Sequence, residues 1–194
     1  MEISISATQK MHFINQTNFM KTIKITLIFL FLASVAFAQN SKKDQQIIED
    51  SEEAKEKFLE DDPDMVEFFN SSYGYIILPN VGKGGLGIGG AAGNGVAYDG
   101  GEKVGFAKMT QITIGFQAGG QAYSEVVFFE DQEAFDRFKN NKIEMSAQVS
   151  AVAAASGASL NAKYIDGVAV FTRTKGGLMY EASVGGQQFK FRKD

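Results

Sequence analysis

Carboxylates, lysines and a glycine-rich segment are the features of this sequence that could do chemistry. The chain has 194 residues, no cysteine and a single histidine, His12, which lies in a segment that we expect the mature protein to lack. A mature chain without histidine or cysteine cannot build a histidine-based catalytic triad, a thiol nucleophile or a nitrogen- and sulfur-ligated zinc site. An all-carboxylate catalytic site and an oxygen-ligated metal ion stay possible.

Four carboxylates lie on predicted strands or at their ends: Glu125, Glu130, Asp131 and Glu181. Glycosidases need only two such groups, so a carboxylate-only hydrolase is one alternative. It requires Glu125 in an open cleft, within about 5–10 Å of a second carboxylate. Apolar residues surround Glu125 in the sequence, however, and a buried carboxylate needs a hydrogen-bonding or cationic partner. We therefore expect Glu125 to hold strands together, and we predict no catalytic residue, no metal site and no cofactor.

Residues 82–87, GKGGLG, match the G-x-G-x-x-G pattern of dinucleotide-binding loops. Such a loop requires a position between a strand and the N-terminus of a helix. Residues 88–93, IGGAAG, will not form a helix, so the pattern favours a glycine-rich pair of strands. Lys83 lies beside flexible backbone N–H groups and could still receive a phosphate or a carboxylate.

The tetrapeptide Lys-Gly-Gly-Leu occurs twice, at residues 83–86 and 175–178, and each copy is followed within ten residues by another Gly-Gly pair. The repetition indicates two similar hairpins in one sheet. It also selects Lys83 and Lys175 as candidate contacts for an anionic head group, the alternative being that both are ordinary solvated charges. The structural residues of these motifs are predicted to be Gly82, Gly84, Gly85, Gly119, Gly120, Glu125, Gly176 and Gly177.

Glycine is concentrated in one part of the chain, since 15 of the 21 glycines lie between Gly74 and Gly120. They stand among Ile, Leu, Val, Tyr and Phe at nearly alternating positions. Glycine at this density permits bulges and close backbone approach, so the pattern predicts a tightly wound antiparallel sheet. The first strand is expected to run from Gly74 to Leu78 and to stop at Pro79. A later hairpin is expected to turn at residues 93–95.

Three helices are predicted beside this sheet. Residues 41–61 have a 3.6-residue apolar period. Asp62 is suited to the N-cap and Pro63 to the first position of a second helix, which is predicted to end near Asn70. Residues 130–140 are predicted to form the third helix. Together these elements predict the α+β class, with a glycine-rich, mainly antiparallel sheet that curls toward a barrel and carries the helices.

Residues 20–38, MKTIKITLIFLFLASVAFA, have the organisation of a secretory signal peptide. Lys21 and Lys24 form the basic region, residues 25–35 the apolar region, and residues 36–38, AFA, a cleavage signal. A retained membrane anchor is the alternative, for which the apolar stretch is short.

We therefore expect three segments. Residues 1–19 would be an extension upstream of a misassigned start, residues 20–38 a signal peptide, and residues 39–194 one domain, helical over 41–70 and β-rich over 74–194. No cysteine follows the apolar region, which excludes a lipoprotein anchor. The mature protein is expected to be exported, to the periplasm or beyond it.

Charge is distributed unevenly in the expected domain. Residues 39–73 carry 4 Lys/Arg and 11 Asp/Glu, a net charge of 4 − 11 = −7. Residues 74–194 carry 12 Lys/Arg and 11 Asp/Glu, a net charge of 12 − 11 = +1. This balance provides no general attraction to nucleic acid or to an anionic membrane surface. Nucleic acid is therefore not a predicted partner.

Five separated blocks, taken in order, resemble the SYLF domain, also called the Ysc84-type actin- and lipid-binding domain. The blocks are residues 73–85 (YGYIILPNVGKGG), 119–129 (GGQAYSEVVFF), 166–171 (DGVAVF), 175–182 (KGGLMYEA) and 185–187 (GGQ). The resemblance covers about residues 44–192. Because the blocks are separate and ordered, it is much more specific than the lone glycine pattern.

The resemblance implies a non-catalytic binding module. Eukaryotic members of the family engage phosphoinositides and, in some fungi, actin filaments, with a basic N-terminal helix at the membrane. Bacterial members are exported single-domain proteins. The N-terminal region of this chain is acidic, so neither phosphoinositide binding by that helix nor actin binding is expected. We predict binding of a phospholipid or another amphiphile at the bacterial cell envelope, with an envelope module for protein or glycan as the alternative.

Overall fold

The computed structural model describes residues 41–86, 88–114, 119–143, 145, 151–153, 155–175 and 186–194. Residues 1–45 and residues 46–194 are separate compact units. The first unit is described only over residues 41–45, which are helical. The second unit contains every strand of the described chain.

The described ranges contain three α-helices and seven β-strands. The helices are residues 41–61 (α1), Val66–Ser71 (α2) and Gln132–Lys139 (α3), with 3-10 turns at Pro63–Met65 and Ser159–Asn161. The strands are Gly74–Leu86 (β1), Ile88–Asp99 (β2), Glu102–Ile114 (β3), Gly119–Phe129 (β4), Ala151–Ala153 (β5), Val168–Thr174 (β6) and Gln188–Lys193 (β7). They form one sheet in the order β5-β6-β4-β1-β2-β3-β7, in which only the pair β5–β6 is parallel.

The sheet carries an apolar core on each face, because successive side chains of a strand point to opposite sides. The core on the α1 face is shared with α1 and α2 and includes Phe58, Phe69, Ile77, Val126 and Phe128. The core on the α3 face is shared with α3 and includes Ile76, Leu78, Val127, Phe135 and Phe138. Burial on both sides explains why β1 and β4 contain runs of consecutive apolar residues where a half-exposed strand would alternate.

A hydrogen bond between two side chains requires the sheet to be strongly curved. Gln187 Nε2 donates to Glu125 Oε2 over 2.9 Å, and both residues are completely buried. Gln187 directly precedes β7, whereas Glu125 lies in β4, four strand-to-strand steps away in the sheet order. In a flat sheet, four steps of about 4.8 Å would separate them by about 19 Å. The sheet therefore curls around the α3 face until the start of β7 meets β4.

The predicted fold class is confirmed. The domain is α+β, its sheet is mainly antiparallel and rich in glycine, and the helices pack on that sheet. Within the described ranges the curled sheet is open, with β5 and β7 as its two edges.

The free edge of β7 is covered by the chain that follows α3. Asn141 Oδ1 accepts a hydrogen bond from the Phe191 N–H over 2.6 Å. Met145 N donates to Gln187 O, and Gly186 N donates to Met145 O, both over 2.9 Å. These contacts satisfy backbone groups that an exposed edge strand would offer to another chain.

The prediction that the first strand stops at Pro79 is wrong. β1 continues to Leu86, and its pairing with β4 shifts register between Leu78 and Val81. Its pairing with β2 shifts at the same place. Proline has no N–H to donate, and a bulge is where a central strand tolerates that loss. Pro79 therefore bends the strand without ending it.

The prediction of a turn at residues 93–95 is also wrong, because these residues lie inside β2. The hairpin closes where Leu86 pairs with Ile88. Gly95 allows a close approach of two strands, since a Cβ at this position would lie 2.0 Å from the carbonyl oxygen of Ile77. Turns and close approaches both select glycine, so the sequence signal does not distinguish them.

The three predicted helices are present. The second begins as the 3-10 turn Pro63–Met65 and continues as α2. Asp131 begins α3, since its Oδ1 accepts the Ala134 N–H over 2.8 Å as an N-cap should. Over the ranges that the structure describes, each helix is too short or too polar to cross a membrane.

Gly95→Ala is expected to lower the free energy of unfolding by about 3 kcal/mol, or to prevent folding, because the methyl group would displace the β1 backbone. Gly82→Ala is the matched control, since a Cβ there would have no atom within 4 Å. Its effect should stay within about 0.5 kcal/mol. Urea denaturation followed by circular dichroism compares the two variants, and equal stabilities would contradict the close approach.

Candidate functional site

Lys175 lies at a small pocket between α1 and the sheet. Its Nζ donates to Asn80 Oδ1, and Asn80 Nδ2 donates to Asp50 Oδ2 over 3.0 Å. The pocket has a volume of about 170 Å³ and is also lined by Glu53, Lys57 and Ser124. A carboxylate of α1 therefore orients the Lys175 ammonium through the amide of Asn80.

The charges of this pocket balance. Lys57 forms an ion pair with Glu53 one helical turn away. The hydrogen bond and the charge of Lys57 lower the pKa of Glu53, and the charge of Lys175 lowers it further by a smaller amount. With Asp50, two carboxylates face two ammonium groups, so the pocket has no net charge to attract an anion. Its hydrogen-bonding groups suit a zwitterionic or neutral polar group better.

Lys83 lies on the other face of the sheet. It pairs with Ala91 of β2 and Gln121 of β4, and Ala91 belongs to the α3-face core. Lys175, by contrast, contacts the α1 side. The two lysines therefore do not contribute to one binding surface. The role of each as a ligand contact stays a prediction.

Glycines of three neighbouring strands meet at the hairpin end of the sheet. Two successive rows across β2, β1 and β4 consist of glycine alone: Gly90, Gly84 and Gly120, then Gly89, Gly85 and Gly119. Gly82 precedes these rows in β1, and Lys83 stands between Gly82 and Gly84. Side chains are thus absent around Lys83 in its own strand, so a ligand could approach the backbone closely. Gly176 and Gly177 lie outside the described residues.

Glu125 is completely buried, and its hydrogen-bond partner is the neutral side chain of Gln187. Glu125 Oε1 and Gln187 Oε1 have no hydrogen-bond partner in the described part of the chain. Burial raises the pKa of Glu125 to about 7, against a smaller lowering by the Gln187 hydrogen bond. Burial, and secondarily the charge of Glu125, raises the pKa of Tyr123 on the same strand.

The surroundings of Glu125 differ from those that a carboxylate-only hydrolase requires. Glu125 has no solvent-exposed surface, whereas a catalytic carboxylate needs an open cleft. Asp131 caps α3, Glu130 is exposed at the end of β4, and Glu181 lies outside the described residues. Among the residues that were placed, no group of three or more His, Cys, Asp or Glu could hold a metal ion.

Asp62 is a second buried carboxylate, with a role that the sequence does not reveal. It accepts hydrogen bonds from the N–H groups of Gly157, over 3.1 Å, and Ser159, over 2.7 Å. Burial acts to raise its pKa, but these hydrogen bonds outweigh burial and leave the pKa of Asp62 below its ordinary value. The Asp-Pro pair predicts a local helix cap, and no sequence pattern links it to residues 95 and 97 positions away.

Asp62→Asn is expected to lower the free energy of unfolding by about 1–3 kcal/mol at pH 7, because one amide oxygen replaces two acceptors and an amide N–H₂ is buried. Since the folded-state pKa of Asp62 is depressed, its contribution is present above the ordinary pKa of aspartate, about 3.9, and is lost as pH falls through the folded value. The two proteins should therefore converge in stability at low pH. Urea denaturation at a series of pH values measures this.

Asp64→Asn is the matched control for this variant, because Asp64 is exposed in the same turn. It should change the free energy of unfolding by no more than about 0.5 kcal/mol. A constant difference between Asp62→Asn and the wild type across pH would contradict an ionised, hydrogen-bonded Asp62.

Comparison with known proteins supports the family resemblance over the C-terminal part of the chain. Residues 110–194, which include β4, α3, β6 and β7, match the family model Ysc84, described as Las17-binding protein actin regulator. The chain is also 30% identical, over 141 residues, to Beta cell expansion factor A of Aeromonas veronii.

That alignment covers 71% of this chain and 53% of the relative, so the chain spans about half the length of this curated relative. The family-model match includes the four sequence blocks between residues 119 and 187. Over residues 110–194 the chain is therefore similar to the Ysc84-type, or SYLF, family, as the resemblance of the sequence blocks predicts.

Proposed function

We propose that this protein is a non-catalytic module that binds a phospholipid or another amphiphile at the bacterial cell envelope. The observation that carries the proposal is the match of residues 110–194 to the Ysc84 family, which is associated with actin and lipid binding. We also propose that residues 20–38 direct export, and an exported bacterial protein meets lipid and not actin. The name of the Aeromonas relative, a factor for beta cell expansion, describes an effect on cells and assigns no reaction.

Exposed aliphatic side chains support contact with an apolar ligand. Leu160 is 68% exposed, Val66 45% and Ile165 40%. Leu160 lies in one 3-10 turn, Val66 follows the other, and these two turns are in contact. Val66 and Leu160 are thus the two exposed aliphatic residues at contacting turns, where adjoining apolar surface would meet an apolar phase. We propose that they enter the apolar part of the ligand.

A head group would contact one of the two candidate lysines and not both, because Lys83 and Lys175 lie on opposite faces of the sheet. Lys175 is already bound by Asn80 in a pocket with no net charge. Lys83 stands between two glycines, in a part of β1 where the backbone is accessible. We propose Lys83 as the contact for an anionic head group and Lys175 as a contact for a zwitterionic one.

Vesicle flotation tests the proposal. The protein should float with vesicles of phosphatidylcholine mixed with phosphatidylglycerol. Lys83→Gln should weaken this binding by about fivefold, because one lysine near an anionic surface contributes about 1 kcal/mol. Lys190→Gln, which removes the same charge from an exposed position in β7, is the matched control and should bind like the wild type. Leu160→Ser should weaken binding to both mixed vesicles and pure phosphatidylcholine.

Failure of the wild type to float with either kind of vesicle would contradict lipid binding. A partner retained from envelope extract without lipid would then favour a protein- or glycan-binding module. Equal flotation of Lys83→Gln and the wild type would contradict the Lys83 assignment alone.

A further inference from the structure

The Glu125–Gln187 pair is a polar contact enclosed in the α3-face core, and no part of the proposed lipid binding uses it. Gln187 Nε2 donates to Glu125 Oε2, which satisfies one oxygen of the carboxyl group. Two acceptors of the same pair, Glu125 Oε1 and Gln187 Oε1, are buried without a partner in the described ranges. Buried polar atoms are rarely left without a hydrogen-bond partner. Each has lost its hydrogen bonds to water, and without a partner in the protein that loss is not compensated.

One proton satisfies both oxygens. A carboxylic acid has an O–H donor in addition to its acceptor oxygen, and a carboxamide presents an acceptor next to its N–H₂ donors. The two planar groups can therefore form a reciprocal pair with two hydrogen bonds. An ionised Glu125 would instead place a charge in an apolar core, opposite a carbonyl oxygen that repels it.

We propose that below neutral pH Glu125 retains a proton on Oε1 and hydrogen-bonds through it to Gln187 Oε1, so that the acid–amide pair is a proton-dependent latch between β4 and the start of β7. Loss of the proton removes one of the two hydrogen bonds and leaves an uncompensated buried charge. The remaining hydrogen bond, from Gln187 Nε2 to Glu125 Oε2, then holds an unneutralised carboxylate at the contact between β4 and the residue that precedes β7. The end of the sheet at β7 opens more readily as a result.

The groups around Glu125 favour the neutral form. Its cross-strand neighbours are Leu78 of β1 and Thr172 of β6, neither of which carries charge. Tyr123, two residues away on the same face of β4, is neutral and would be further disfavoured as an anion beside an ionised Glu125. Lys83 lies on this face further along β1, paired with Gln121. Burial and the hydrogen bond from Gln187 therefore determine the protonation state of Glu125.

The protonation state can be measured directly by ¹³C NMR of the glutamate side-chain carboxyl groups across pH. One resonance should titrate with a midpoint near 7 and should be absent in Glu125→Gln, which assigns it. The amide of that variant reproduces the donor and acceptor of the protonated acid, so the variant should fold. A Glu125 resonance with the ordinary midpoint of about 4.3 would overturn the proposal.

Hydrogen exchange measures the latch itself. After correction for intrinsic exchange, protection of the Phe191 amide, which donates to Asn141 at the edge of β7, should fall about tenfold per pH unit between pH 5 and pH 6.5 and level off above pH 7, because opening releases one proton. Glu125→Gln should show protection that does not vary with pH. Glu130→Gln, at an exposed glutamate that directly follows β4, should retain the wild-type slope. Equal slopes in Glu125→Gln and the wild type would overturn the latch.

A measurement on the wild type alone covers the case in which Glu125→Gln does not fold. The infrared difference spectrum between pH 6 and pH 8 should show the loss of a protonated carboxyl band, because carboxyls with ordinary pKa values are already ionised at pH 6. The absence of that band would overturn the proposal.

Discussion

Gln187 and Glu125 are within hydrogen-bonding distance because the sheet bends around its α3 face, and this bend is the constraint on which the rest of the domain depends. Strands four steps apart in the sheet order meet only if the strands between them curve strongly. Glycine in the central strands permits that curvature, and the bulge at Pro79 adds to it. The interior of the bend is filled by the aromatic residues of α3 and β7, chiefly Phe135, Phe138 and Phe189. The curvature of the sheet therefore depends both on the glycines that permit it and on the aromatic residues that fill its interior.

Two carboxylates are buried in the described part of this domain, and their surroundings lead them to opposite protonation states. Asp62 accepts two backbone N–H groups, which stabilise the ionised form. Glu125 accepts one N–H from an amide in an apolar core, which is too little to offset burial. Asp62 ties the turn after α1 to the chain before β6, and Glu125 ties β4 to β7. Both carboxylates join distant segments of the chain, although one is held as an anion and the other as an acid.

Sequence patterns predicted the elements of this fold better than the contacts between them. Apolar periodicity identified the first helix, a cap and proline signal identified the second, and near-alternating glycine and apolar residues identified the antiparallel sheet. Pro79 and Gly95 were misassigned because bulges and close approaches select the same residues as strand ends and turns. The Glu125–Gln187 pair joins residues 62 apart in sequence, and no local pattern encodes it. The duplicated Lys-Gly-Gly-Leu motif likewise gave no sign that Lys83 and Lys175 lie on opposite faces.

A bent sheet with a filled interior leaves its outer surfaces and its glycine-rich end for contact with a ligand, which agrees with the binding function that we propose. The bend itself is most directly tested by NMR, through nuclear Overhauser effects between the Gln187 side-chain amide protons and the Glu125 methylene protons. The curved sheet predicts strong cross-peaks between these groups and slow exchange of the Gln187 amide protons with water. The absence of such cross-peaks, with rapidly exchanging Gln187 amide protons, would contradict the curved sheet, because a flat one holds the two residues about 19 Å apart.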